Sequence, residues 1–197
     1  MSTSTTFVVE EFFSNGRQYY IAGRYAVFAA LIPVAGNLLH HAVEHFLKGG
    51  LAKTTPLDDM KKKLGHKLPK IWDAFKTQAN DPTLARFDDV ISTLDEFEEL
   101  RYPDPNAKGM QCTFDVTKAG AAAVAAMVAS APAGSFPTST LPQYSLVLEE
   151  IDELVSAIFA AASQNPKFHL GKAYKPEARE YLVKDNAVRA FVEAVSP

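Results

Sequence analysis

The sequence predicts an all-α protein, an up-and-down bundle of four to six helices with a short irregular insert and a helical C-terminal tail. Apolar residues recur three or four positions apart in several separate segments, which is the period of an amphipathic helix. Proline and glycine separate these segments, and the alternation typical of strands is sparse. Amphipathic helices joined by short loops bury their apolar faces against one another, so a bundle is expected.

The first two helices are predicted around Pro33, which cannot continue a helix. Residues 1–13 are expected to be a lead-in, followed by a helix over 16–32. The next helix, over 34–51, has the clearest two-faced pattern. Its apolar stripe consists of Leu39, Ala42, Val43, Phe46, Leu47 and Gly50. Its other face carries Asn37, His41, Glu44, His45 and Lys48. We interpret this polar face as solvent-exposed or as an interface.

The middle of the chain is predicted to form three helices. Pro56 begins a short one that ends before Gly65. A second helix covers 66–79 and a third covers 83–100, with Asn80-Asp81-Pro82 as the break between them. Two prolines in 101–106 end the third helix.

The C-terminal part alternates between irregular and helical predictions. Residues 110–116 are ambiguous, and a short strand is possible there. An alanine-rich helix over 117–130 and a loop over 132–142 follow. An uninterrupted apolar stripe then predicts a long helix over 143–163. Two short helices are expected in the tail, beginning at Pro176 and at Asp185. The chain is thus divided into a lead-in (1–13), a bundle (14–165) and a C-terminal helical appendage (166–197).

Composition excludes several classes of protein. The chain has 197 residues, with 47% hydrophobic and 22% charged, which suits one folded core and not a disordered chain. A net charge of -3 argues against a dedicated nucleic-acid binder. The single cysteine, Cys112, cannot form an internal disulfide or a cysteine-rich zinc site. Without a signal peptide or an apolar membrane span in the sequence, a cytoplasmic protein with no membrane contact is expected.

The common catalytic motifs are absent from the sequence. It contains no G-x-S-x-G nucleophile elbow, no G-x-x-x-x-G-K phosphate loop and no G-x-G-x-x-G dinucleotide motif. We therefore expect no cofactor, and the sequence does not favour an enzyme.

One segment resembles a metal-binding motif. His41, Glu44 and His45 match H-x-x-E-H, which places two imidazoles one helical turn apart. A third ligand would be needed, and the sequence shows no second cluster that supplies it. A solvent-exposed or interface face is the favoured interpretation, with a metal site and a polar ligand pocket as alternatives.

Charge is distributed unevenly between two neighbouring regions. The lysine-rich region contains Lys53, Lys61, Lys62, Lys63, Lys67, Lys70 and Lys76. The acidic region contains Asp88, Asp89, Asp95, Glu96, Glu98 and Glu99. These regions are expected to be neighbouring exposed helix faces whose ion pairs contribute about 0–1 kcal/mol each. A basic patch for phosphate, or an acidic face for a partner's lysines, is the alternative.

Three short motifs occur in an order that resembles the HEPN superfamily of small helical bundles. Ala42-Val-Glu-His-Phe-Leu-Lys48 comes first, Gly65-His-Lys-Leu68 opens a later helix, and Arg101-Tyr-Pro-Asp104 follows the next. The resemblance covers about residues 16–104 and one later helix. It implies a bacterial-type bundle that often dimerises, with roles in RNA cleavage, in nucleotide binding or beside a nucleotidyltransferase partner.

The resemblance also implies what this chain does not do. Ribonuclease members of the superfamily use an arginine followed four to six residues later by a histidine, and no arginine here has such a histidine. We therefore expect a non-catalytic protein that associates with itself as a dimer or with a partner. The alternatives are a nucleotide or small-anion binding module, which would use Lys48, His66, Arg101 and Tyr102, and a metal-dependent hydrolase or ribonuclease. The candidate ligand or interface residues are His41, Glu44, His45, Lys48, His66, Arg101 and Tyr102.

Overall fold

Helices dominate the structure, which confirms the all-α prediction. The computed structural model describes residues 3–32, 34–98, 100, 111–132, 143–170 and 176–186. The α-helices are α1 (Thr3–Phe28), α2 (Val34–Leu51), α3 (Leu57–Asp59), α4 (Leu68–Ala79), α5 (Asp88–Glu96), α6 (Lys118–Ser130), α7 (Leu148–Ala161), α8 (Pro166–Leu170) and α9 (Pro176–Val183). A π-helical turn, Met60–Leu64, continues α3, and a 3₁₀ turn, Pro82–Phe87, precedes α5. The strands are β1 (Gln111–Asp115) and β2 (Gln143–Val147).

The α1–α2 hairpin is the centre of the molecule. Two glycines of α1 allow the helices to approach closely. A Cβ on Gly16 would lie 2.7 Å from the Phe46 ring, and one on Gly23 would lie 2.8 Å from the Leu39 side chain. Helix α2 also contacts α4, α5 and α7, so it is surrounded by other helices.

The start of α1 differs from the prediction. Residues 3–13 are its first turns and not a lead-in, and Val9 and Phe13 belong to the core. The run of serine and threonine at the start has low helix propensity, so a local signal for a helix is missing there. The helix ends at Phe28, before the predicted position, and Ala30 adopts a left-handed conformation with φ 55°.

The polar face of α2, expected to be solvent-exposed or an interface, is partly buried. Glu44 and Lys48 are 4% and 8% exposed, and Asn37, His41 and His45 are half-buried. The cause is tertiary, because α4 and α5 pack against the helix that α1 and α7 already cover.

A small parallel sheet replaces part of a predicted helix. Strand β2 pairs with β1 from Gln111↔Gln143 to Asp115↔Val147, and α6 connects the two strands. The possible strand in 110–116 is therefore confirmed. The prediction was wrong for 143–147, which precede α7 as a strand. Leu146 is buried while Ser145 is exposed, an alternation typical of a strand that the helical stripe starting at Tyr144 obscured.

The predictions around α4 and α5 are partly confirmed. Helix α4 ends at Ala79, and Asn80 follows in a left-handed conformation with φ 52°. The helix predicted over 83–100 is a 3₁₀ turn followed by α5, which ends at Glu96. Most of the predicted loop over 132–142 lies outside the described residues.

The described part of the C-terminal tail packs against α1 and belongs to the core, unlike an appendage. Leu170 and Leu182 are buried. Arg17 donates from Nη1 to the carbonyl oxygen of His169 at 2.8 Å. The helix predicted from Asp185 lies almost entirely outside the described residues, and Asp185 itself has a φ of 46°.

A buried ion pair joins α1 to α7. The side chains of Arg24 and Asp152 are both 0% exposed, and Arg24 Nη1 donates to the carboxylate. Tyr20 donates its hydroxyl to Asp152 Oδ1 at 2.5 Å. Arg24 also donates to two C-terminal carbonyl oxygens, to Tyr181 from Nε at 2.6 Å and to Lys184 from Nη2.

Among the helices that the structure describes, none combines the length and the apolar composition that crossing a bilayer requires.

Candidate functional site

A cluster of ionisable side chains lies where α2 meets the start of α4 and the residues after α5. We call it the Glu44 cluster, and its members are His40, His41, Glu44, Lys48, His66 and Glu98. The four members on α2 are spaced so that they share one helix face. The cluster brings together four of the residues that the sequence singled out.

The two oxygens of the Glu44 carboxylate face different neighbours. Oε1 accepts a hydrogen bond from Lys48 Nζ at 2.6 Å and lies 2.9 Å from His66 Nδ1. Oε2 lies 3.6 Å from His41 Nδ1 and 3.8 Å from His40 Nε2. Glu44 therefore connects Lys48 and His66, through Oε1, with the imidazoles on the side of Oε2.

Glu44 is ionised at neutral pH. Burial raises the pKa of its carboxyl, but polar contacts with His41 and Lys48 outweigh burial and lower the pKa to about 2. The cluster thus holds a carboxylate that is 4% exposed and depends on its neighbours for stability.

His40 is the most deeply buried member. Its Nδ1 lies 3.3 Å from the carbonyl oxygen of Leu94. Because a carbonyl can only accept, Nδ1 carries a proton and Nε2 faces the carboxylates. The distance from Nε2 to Glu98 Oε2 is 3.4 Å. Burial lowers the pKa of His40, although the carbonyl and the two carboxylates act in the opposite direction.

Replacing Glu44 with Gln is expected to destabilise the protein most at neutral pH. The neutral amide resembles the protonated carboxyl, so the variant lacks the stability that ionised Glu44 provides. A shift in pKa from 4.5 to about 2 corresponds to about 3 kcal/mol in the free energy of unfolding. Since the pKa is lowered in the folded state, this contribution is present above pH 4.5 and is lost as the pH falls through about 2.

Urea denaturation at neutral pH and near pH 2 measures this effect. The exposed Glu96 provides the matched control, and we expect Glu96→Gln to change stability by less than about 0.5 kcal/mol. A Glu44→Gln deficit of the same size at both pH values would contradict the assignment.

His45 belongs to different surroundings. Its ring stacks on Tyr19 with centroids 5.4 Å apart and lies 5.7 Å from the Phe12 ring. With Asn15 and Leu38 it lines an open groove of about 560 Å³ between α1 and α2. In the described part of the chain, the three residues whose ligand atoms converge are His40, His41 and Glu98, so the H-x-x-E-H residues are not the set that the fold assembles.

The edge of the Glu44 cluster is open to solvent at His66, whose side chain is 73% exposed. The side chain of His41 is 25% exposed and that of Glu98 is 13% exposed. The predicted site residues Arg101 and Tyr102 lie outside the described residues.

Sequence reasoning missed His40 and Glu98. His40 lies four residues before Glu44, a spacing that could have placed both on one helix face. Glu98 belongs to the acidic region and is far from α2 in sequence, so only the packing of the helices reveals its place.

The lysine-rich and acidic regions meet each other. Lys76 Nζ donates to Asp88 Oδ1 at 2.7 Å, and Lys67 Nζ lies 3.7 Å from Asp95 Oδ2. The Trp72 indole also donates to Asp88 Oδ1, at 2.6 Å. These contacts support the interpretation of the two regions as neighbouring faces of α4 and α5.

Helix α6 presents an apolar surface. None of its residues is buried, and Val124, Met127 and Val128 are 50%, 56% and 48% exposed. Residues 119–130 contain no charged side chain. Lys118, at its start, bonds to Glu153 of α7 at 2.7 Å.

Comparison with protein-family models found no matching family, and comparisons with curated proteins and with solved structures found no significant match.

Proposed function

We propose that this protein is a HEPN-like, non-catalytic helical bundle that works by association, and that α6 is where it pairs with a second copy of the same chain. The observation that carries the proposal is the exposure of α6, which is apolar along its length and has no buried residue. Burying a Val or Met side chain contributes about 1.5–3 kcal/mol, so an apolar helix surface favours a partner.

The pattern of α6 fits helix-to-helix packing. Val124, Met127 and Val128 are three and four residues apart, so they lie on one face. The alanines beside them are small enough to let a second helix approach closely.

A second copy suits this surface better than a charged partner. Without charged side chains in 119–130, the surface offers no electrostatic complementarity. An apolar stripe is complementary to its own copy across a twofold axis, which is the commonest symmetry of soluble oligomers.

A charge placed in the centre of this surface is expected to dissociate the dimer. Val128→Glu would bury an unpaired carboxylate, which costs about 2–5 kcal/mol and weakens association at least about thirtyfold. Sedimentation equilibrium and light scattering measure the mass, and we expect twice the monomer mass for the wild type. Circular dichroism verifies that the variant remains helical.

Leu31→Glu is the control for this experiment. Leu31 is 49% exposed, outside α6, and receives the same change in charge. We expect the Leu31→Glu protein to remain a dimer. A monomeric wild type, or a dimer that Leu31→Glu dissociates and Val128→Glu does not, would overturn self-association through α6.

The alternative of nucleotide or anion binding has less support. Lys48 Nζ and His66 Nδ1, two of its four proposed residues, are directed at Glu44 Oε1. An anion would have to compete with this carboxylate for both side chains.

A further inference from the structure

We propose that His40, His41 and Glu98, with Glu44 beside them, form a binding site for one divalent transition-metal ion of the zinc type. Each of the first three residues offers one ligand atom, and these atoms all lie within 4.8 Å of one another. The site differs from the H-x-x-E-H set, because His40 and Glu98 take part and His45 does not. The proposal is independent of association through α6.

The first argument is that an imidazole nitrogen and two carboxylate oxygens converge. His40 Nε2 lies 3.4 Å from Glu98 Oε2 and 3.8 Å from Glu44 Oε2. Neither His40 Nε2 nor Glu44 Oε2, both buried, forms a hydrogen bond with any residue that the structure describes. Buried polar atoms are normally satisfied, and a metal ion between these two would satisfy both.

The second argument concerns which cation fits. Calcium and magnesium prefer oxygen ligands, whereas imidazole nitrogen together with carboxylate oxygen suits zinc and its neighbours. Zinc bonds of about 2.0–2.2 Å in a tetrahedron put the ligand atoms roughly 3.3–3.6 Å apart. Three separations, of which the last two involve Glu44, are 3.4, 3.6 and 3.8 Å and are close to that spacing. The ligand atoms of His40, His41 and Glu98 all lie within 4.8 Å, so small side-chain adjustments would complete the tetrahedron.

The third argument is that neighbouring groups already hold the ligands in place. The Leu94 carbonyl faces His40 Nδ1, so Nε2 is the ring nitrogen that would bind the metal. Lys48 and His66 bind Glu44 Oε1 and leave Oε2 turned toward the imidazoles. Metal-binding proteins use such outer contacts to fix the tautomer and the orientation of their ligands.

A proton is the competing explanation. If His40 Nε2 carried a hydrogen, an imidazolium would bridge the two carboxylates and no metal would be needed. The two explanations differ in what the protein binds, so direct titration separates them.

The test is calorimetric titration of the full chain with Zn²⁺ alone, after removal of bound metal with a chelator. We expect one ion per chain and a higher melting temperature with zinc. Co²⁺ bound in the same place should give the visible absorption typical of tetrahedral coordination, a readout that structural stabilisation alone does not produce.

Two variants locate the ion. Glu98→Gln keeps the size of the side chain and removes its charge, and His41→Gln removes an imidazole whose side chain is 25% exposed. Each should weaken zinc binding at least about tenfold. Glu96→Gln, two residues before Glu98 and exposed, should bind zinc as the wild type does.

The site would be overturned if the wild type bound no stoichiometric zinc. It would also be overturned if zinc binding were unchanged in both Glu98→Gln and His41→Gln. Nitrogen chemical shifts showing His40 protonated on both nitrogens with zinc present would do the same. If Glu98→Gln fails to fold, His41→Gln still decides the question, because its side chain is at the open edge.

Discussion

Asp152→Asn is expected to lower the free energy of unfolding by about 3–5 kcal/mol, the cost of leaving a buried charge without its partner. The Arg24 guanidinium would remain 0% exposed without a carboxylate beside it. The hydroxyl of Tyr20 would also lose its charged acceptor. The amide is close to the carboxylate in size, so the loss reports charge and not volume.

Urea denaturation measures this difference. The control is Asp73→Asn, because Asp73 is exposed on α4, and a change below about 1 kcal/mol is expected there. A double variant, Arg24→Met with Asp152→Leu, should recover part of the stability because it leaves no charge buried. An Asp152→Asn protein as stable as the Asp73→Asn protein would show that the ion pair is not what holds α1 to α7.

Phe46→Ala is expected to cost about 3–5 kcal/mol through the cavity it leaves in the core. Phe46 is 0% exposed and packs among the rings of Phe13, Tyr20 and Phe159, with centroids 5.7, 6.3 and 5.0 Å away. Because α1, α2 and α7 all contribute to this ring cluster, the cavity would loosen three helices together.

Phe7→Ala is the matched change, since Phe7 lies on α1 and is 64% exposed. It should change the free energy of unfolding by less than about 0.5 kcal/mol. Equal losses for the two variants, measured by chemical denaturation, would mean that Phe46 is not at the centre of the core.

Local sequence signals predicted α2 completely. The prediction of 34–51 agrees with Val34–Leu51 because a full apolar period is bounded by Pro33 and by Gly49-Gly50. Helix α7 had an equally regular stripe, but its predicted first residues form β2. Residues 143–147 form a strand because β1 is there to pair with them, and their own sequence does not indicate that partner.

The composition of the Glu44 cluster was only partly predictable. Helical spacing puts His41, Glu44 and Lys48 on one face, and the sequence shows that spacing. Their burial depends on where α4 and α5 pack, and this is a tertiary property. The same packing brings Glu98 to His40, a contact that no pattern in the sequence indicates.

The arginine at position 24 has a consequence for synthesis of the chain. Its partners Asp152, Tyr181 and Lys184 follow 128, 157 and 160 residues later. During synthesis, α1 therefore emerges from the ribosome long before the residues that neutralise and bind this guanidinium have been added to the chain. Until then the unpaired Arg24 cation opposes burial of α1, so we expect the core to form late and cooperatively.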